Sequence, residues 1–304
     1  MSTRPLSLLK TDMNTSTLTK ENYPFLLTQI PNLPKEIYIA GSMPKLEHKY
    51  LCVIGSRNYS QYGKDACMKL IQGLKGYPIT IVSGLAIGID SISHEAAIEA
   101  GINTMAFPGS GLSLEVLYPA CRRRLAQRII ESGGTLLSPF KMNQTGAFWT
   151  FPFRNRLMAG ISHATLIIEA RRGSGTLLTA EYAAEFNRDI LAVPGSIFSE
   201  LSYGPHMLIQ RGAIPVISSR DILEALGFKV QKEATQQSLL NLAELSLTEE
   251  QKNIVNTLRL SPCSGSDLIE KLHLTSSTLN MHISELELKE IVEERDGLYQ
   301  IKNS

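Results

Sequence analysis

The chain reads as an α/β protein, with a doubly wound, mostly parallel sheet over residues 21–228 and a small winged helix-turn-helix domain over 247–304. Three observations predict this. From Tyr50 onward, short apolar runs alternate with stretches of helical spacing, the pattern of a parallel sheet covered by helices on both faces. Near Lys229 the chain turns polar and Gln-rich. Its last part then reads as three short helices followed by two strands meeting at Asp296-Gly297, a strong hairpin signal.

Taken in order, residues 1–20 are polar and rich in Ser and Thr, and are expected to be disordered or loosely attached. YLCVIGSR is the first apolar run, followed by the helical GKDACMKLIQGLKG. The pair recurs as ITIVSG with IDSISHEAAIEAG and as INTMAFPGSG with YPACRRRLAQRIIESG. GTLLSPF leads through a loop to RNRLMAGIS. HATLIIEA, DILAVPGS and AIPVI then each precede a helical segment. Residues 229–246 read as a linker. In the last domain Thr248 is placed to cap a helix whose first turn holds Glu249 and Glu250.

At 304 residues, 43% hydrophobic and 19% charged, the chain can bury an ample core. Residues 229–304 hold 8 Lys/Arg against 12 Asp/Glu, leaving 22 against 17 for residues 1–228. A basic body beside an acidic tail points to a polyanion partner for the former. Cys52, Cys67, Cys121 and Cys263 are widely spaced, with no C-x-x-C pair. They read as reduced, mostly buried thiols, without metal or disulfide. No apolar run is long enough to cross a bilayer, and the N-terminus lacks a signal-peptide core. The expected location is cytoplasmic, with no membrane partner.

Glycine and serine collect where the strands end: GSRN (55–58), SGLAIGID (83–90), FPGSG (107–111), EARRGSG (169–175) and VPGS (193–196). Gly55, Ser56, Ser83, Gly84, Ser174 and Gly175 thus lie at the carboxyl edge, where ligands of such sheets bind. Backbone N–H groups and helix N-termini there suit anions, and Arg57, Arg171 and Arg172 add charge. Neither a dinucleotide fingerprint nor a P-loop is present. FPFRNR adds Phe151, Phe153, Arg154, Asn155 and Arg156, and the helix after the third strand adds Arg122 and Arg124 to a basic run with Arg123 and Arg128. Arginines among aromatics suit a single strand, whose free bases can stack. His94, Glu95, Asp90, Glu115 and Glu181 keep a hydrolase open, although no two carboxylates share a revealing spacing.

With these residues assembled, the chain resembles the DNA-processing protein A family (DprA, also called Smf). The motifs are VIGSR (53–57), SGLAIGID, GSGLSLEVLYP (109–119), FPFRNRLMAGIS (151–162), SGTLLTAEYA (174–183), AVPGSI (192–197) and LIQRGA (208–213). The resemblance runs from about Tyr23 to Gly227. It implies a Rossmann-like domain that binds single-stranded DNA in a basic pocket, forms a homodimer and is not catalytic, with no cofactor. It also implies protection of incoming DNA and loading of the RecA recombinase during natural transformation or recombination. Arg57, the Ser83-Gly84 turn, Arg154, Arg156 and Ser174 match the family's candidates for phosphate contact, with Phe151 or Phe153 under the bases. This sequence departs from the family at Ile87, where a basic residue is usual, and at Ser113, Pro139 and His206. The alternative is a nucleotide-phosphate-processing enzyme of the lysine-decarboxylase-like Rossmann group. That group's P-G-G-x-G-T-x-x-E motif is not matched, because Thr179 stands at the glutamate position of RGSGTLLTAE and Glu181 falls two later. TSSTLNMHISELELK carries little positive charge, so the winged helix is expected to contact protein or to bind duplex DNA weakly.

Overall fold

The computed structural model describes residues 14–230, 247–289, 291–295 and 297–301. The chain forms two compact units that divide between Val230 and Gln231.

The first unit is built on a nine-stranded sheet. In chain order its strands are β1 (Thr15–Thr19), β2 (Glu36–Gly41), β3 (Lys49–Ile54), β4 (Ile79–Ser83), β5 (Asn103–Ala106), β6 (Thr135–Ser138), β7 (Ala164–Ile167), β8 (Asp189–Ala192) and β9 (Ile214–Pro215). Their spatial order is β1-β2-β6-β5-β4-β3-β7-β8-β9. All pairings from β6 to β9 are parallel, while β1 and β2 are antiparallel additions at one edge. From β3 the chain winds outward through β4, β5 and β6, then returns to the other side of β3 with β7. The switch point therefore lies between β3 and β7, where an open α/β sheet presents its ligand crevice.

Alternate residues of the central strands feed two cores, as the two-residue period of a strand requires. Leu51 and Val53 face α2 (Gln61–Gln72) and α3 (Ile89–Ala100), with α8 (Ser219–Ala225) completing that layer. Cys52 and Ile54 face α5 (Thr150–Ile161), α6 (Gly175–Glu185) and α7 (Tyr203–Gln210). Helix α1 (Phe25–Thr28) joins the second layer through Leu27. Helix α4 (Arg123–Glu131) packs Leu125 and Ile129 over Ala106 and Leu136. Cys52, Cys67 and Cys263 are buried, while Cys121 is exposed.

The expectation of disorder through residue 20 is corrected for Thr15–Thr19. These residues pair with β2 from Thr15↔Ala40 to Thr19↔Glu36, and Leu18 packs against the core. Three β-branched threonines suit an edge strand, and polarity alone hid that preference. Residues 1–13 and 231–246 lie outside the described residues, so they test neither the disordered segment nor most of the linker.

The second unit has three helices, α9 (Glu249–Leu260), α10 (Gly265–Leu272) and α11 (Ser276–Leu288), and the antiparallel pair β10 (Val292–Arg295) and β11 (Leu298–Ile301). Its own core includes Ile254, Leu258, Leu268, Leu279, Ile283 and Leu286. Thr248 caps α9 in a reciprocal capping box with Gln251, which satisfies two otherwise orphaned N–H groups. Asp296 of the expected hairpin turn lies outside the described residues, and Gly297 beside it adopts φ 77°.

Candidate nucleic-acid interface

A cavity of about 620 Å³ opens at the switch point, between the ends of β3 and β7, a volume within the usual range of ligand sites. Gly55, Ser56 and Arg57 form one wall, and Arg171, Arg172, Ser174 and Gly175 face them. Phe148, Phe151, Arg154 and Asn155 close a third side. The Thr176 hydroxyl donates to the Gly55 carbonyl at 3.1 Å and ties the two glycine turns together. A smaller recess adjoins it, sharing Arg57, Phe151 and Arg154 and adding Gly84, Ile87 and Tyr118.

The five glycine turns do not contribute alike. Glu169 occupies the N-terminus of α2, accepting from the Ser60 N–H at 3.0 Å and from its hydroxyl. The start of α3 is sealed against the GSR turn. The Ile89 N–H donates to the Ser56 carbonyl at 3.2 Å, and Gly88, at φ 95°, lies where a Cβ would strike the Ser56 and Arg57 backbone. The carbonyls of Phe107 and Gly109 accept from Arg154 and Thr150, and that of Pro194 accepts from the Tyr62 hydroxyl. Helix α6 is different: capped by Ser174, whose Oγ accepts from the Thr176 N–H at 3.2 Å, it begins at Gly175 on the cavity wall. A helix N-terminus with two arginines beside it is suited to anions.

Helical geometry divides FPFRNR. Phe151, Arg154, Asn155 and Met158 follow the i, i+3, i+4, i+7 spacing along α5 and line the cavity. Phe153 turns away, packs against the core and meets Phe140 at 6.1 Å. Arg156 also turns away, donating to the Pro31 and Asn32 carbonyls and lying 5.6 Å from the Phe186 ring centroid. Ser83 is buried at the end of β4, its hydroxyl donating to the Val53 carbonyl at 2.6 Å. Arg122 and Arg124 lie outside the cavity, at the start of α4. Thus Gly55, Ser56, Arg57, Phe151, Arg154, Asn155, Arg172, Ser174 and Gly175 meet in one place, with Gly84 in the recess. Ser83, Arg122, Arg124, Phe153 and Arg156 do not join them.

Two arginines of the cavity differ sharply. Arg57 is exposed, and its guanidinium lies 5.9 Å from the Phe151 ring centroid, with Tyr118 packed on the same ring at 5.6 Å. Arg154 is only 4% exposed and donates to the carbonyls of Gly84 and Phe107. Asp90 lies beside it, its carboxylate accepting from the backbone of Ala86 and Gly84. Burial pushes the Asp90 carboxyl up, against the pull of Arg154. A Cβ on Gly84 would collide with both the guanidinium and the carboxylate, so this turn closes only around glycine. Gly88 caps α3, and Asp90 sits inside its first turn. Leu85 beside it holds φ 56°, an uncommon conformation for a bulky residue that is kept by complete burial of its side chain.

The site also includes residues that motif reading did not single out. Phe148 and Tyr118 come from loops, and only folding brings them to Phe151. Of the carboxylates kept open for hydrolysis, Asp90 lines the cavity and Glu95, Glu115 and Glu181 do not. Glu181 is exposed beside a different cavity, between α6 and α7, and Glu115 is exposed on the loop before α4.

The model of DNA recombination-mediator protein A matches residues 14–227. The chain belongs to this family. DNA processing protein DprA of Streptococcus pneumoniae is 40% identical over 206 residues, which cover 68% of this chain and 72% of that protein. Protein Smf of Escherichia coli is 38% identical over 208 residues, covering 68% of this chain but 55% of its own length. Among solved structures, the S. pneumoniae protein superposes with a TM-score of 0.65 at 37% identity, covering 71% of this chain and 75% of that one. DNA processing protein A of Helicobacter pylori, solved to describe its single-stranded DNA binding mode, gives 0.63 at 25% identity, covering 72% of this chain and 98% of that one. Both neighbours cover about seven tenths of this chain, and its Rossmann-like fold follows from them.

Proposed function

We propose that the chain binds single-stranded DNA in the cavity between β3 and β7, and acts as a recombination mediator that protects the strand and delivers it to a RecA-type recombinase. One observation carries this reading. Exposed arginines (Arg57, Arg171, Arg172), an open helix N-terminus and aromatic surface (Phe148, Phe151) converge on a single cavity. Phosphates are held by the first two features, and bases by the third. The family membership and the H. pylori relative support the same reading.

The cavity's own carboxylate, Asp90, is buried against Arg154 and bonded to backbone. Glu181 and Glu115 stand elsewhere, which favours a binding protein over a nucleotide hydrolase. The second unit we read as a winged helix serving a protein contact. Among the described residues of α11 the one imidazole, His282, is buried and bonded to Glu250 at 2.8 Å, while Met281 and Leu288 are exposed. The helix thus offers little to a duplex backbone. Homodimerisation and a cytoplasmic location complete the proposal; no helix among the described residues is long and apolar enough to cross a membrane.

The test is competition. Labelled oligothymidylate bound by the full chain is expected to be displaced by unlabelled single strand and not by duplex of equal length. Equal displacement by duplex, or turnover of nucleoside monophosphates that is lost in Glu181→Gln, would overturn the reading.

A further inference from the structure

We infer that a single strand leaving the cavity crosses the Arg171–Arg172 pair and stacks a base on a second aromatic platform, formed by Phe198 and Tyr203. This rests on the reading of the cavity as a single-strand site and extends it to the segment 196–203, which the cavity does not include.

The two arginines border both places. They line the cavity, yet the Arg172 guanidinium lies 5.6 Å from the Tyr203 ring centroid, and Arg171 Nε is 3.9 Å from Glu200 Oε2. Beyond them, Ile197 and Phe198 are 82% and 93% exposed.

The segment is not a loose tip. The Phe198 N–H donates to Ser196 Oγ at 3.2 Å and the Ser199 N–H to the Ser196 carbonyl at 3.0 Å, closing a tight turn. Behind it the Tyr62 hydroxyl donates to the Pro194 carbonyl at 2.6 Å, and His206 Nε2 lies 3.0 Å from the Gly195 carbonyl oxygen. The Ala170 N–H donates to the Leu201 carbonyl and the Gly204 N–H to the Ala170 carbonyl, both at 2.8 Å. These bonds anchor the segment to the chain that leads into Arg171.

A fixed turn that presents a phenyl ring beside two guanidinium groups has the make-up of a single-strand path. Bases stack on the ring while phosphates meet the cations, and arginine adds cation–π attraction. Continuity with the cavity and the positive border favour nucleic acid over an apolar protein partner. The exposed Arg171–Glu200 pair is weak, and a phosphate arriving at Arg171 would displace the carboxylate.

The full chain tests this with two oligothymidylates, a tetranucleotide directed at the cavity and a dodecanucleotide long enough to run beyond it. Phe198→Ala is expected to weaken dodecanucleotide binding about tenfold, the lower range for one lost base stack, and to leave the tetranucleotide unchanged. Glu200→Gln is expected to tighten dodecanucleotide binding, and Arg57→Ala to weaken both. Wild-type dodecanucleotide affinity in Phe198→Ala, with Arg57→Ala still impaired, overturns the platform alone. Indifference of both oligonucleotides to Arg57→Ala overturns the cavity reading and the platform with it. Loss of self-association in Phe198→Ala, seen by sedimentation with DNA affinity intact, would assign the patch to protein contact and overturn the inference.

Discussion

Arg57 and Arg154 approach the same cavity and are expected to fail differently when truncated. Arg57 is exposed over Phe151. Arg57→Ala should weaken single-strand affinity and reduce the salt slope by about 0.7, the contribution of one phosphate on a single strand. Arg154 is buried and bonded to two carbonyls beside Asp90. Arg154→Ala strands that carboxylate, and should lower stability by about 3–5 kcal/mol, read as a fall in the urea midpoint. Ile87 is 46% exposed on the recess beside Arg57, where a cation would add to the positive charge facing the strand. Ile87→Lys should therefore tighten binding and steepen the salt slope, and titration at two salt concentrations checks both signs. The residue types of the site were legible in the sequence, because glycine turns and arginines announce themselves. Which arginine is free and which is buried was not legible, since both sit in equally polar motifs and only packing distinguishes them.

At the scale of elements, the strand-helix alternation that predicted the sheet holds because parallel strands are apolar on both faces. The antiparallel edge was not legible in the same way. β1 buries little and reads as a polar tail, and its strand character comes from pairing with β2. FPFRNR appears as one motif in sequence, but once α5 forms, the 3.6-residue period sends Phe151 and Arg154 to the cavity and Phe153 and Arg156 to the opposite contacts. Two imidazoles give the elements a pH signature. Burial pushes His94, on α3, down to about 3. Burial, with Lys49 and Arg188 nearby, pushes His163, before β7, down to about 4. The unfolded chain protonates both from near pH 6.5, whereas the folded chain keeps them neutral until about pH 4. Stability thus rises with pH across that window and falls as pH drops from about 6.5 to 4. His163→Gln should flatten the fall, as measured by urea midpoints at a series of pH values.

At the scale of the whole molecule, charge and architecture agree. The first unit carries the excess of positive charge and the cavity; the second carries net negative charge. Removing the second unit after Val230 is expected to leave oligothymidylate affinity within about twofold of the full chain, since the cavity belongs wholly to the first unit. The most direct test of the central claim is the salt dependence of oligothymidylate binding by the full chain, compared with a variant carrying Arg57→Ala, Arg171→Ala and Arg172→Ala. If the cavity between β3 and β7 holds the strand, the variant binds far more weakly and its slope is shallower by about 2, three phosphate contacts at 0.7 each. An unchanged slope and affinity would contradict the account and place the strand elsewhere on the protein.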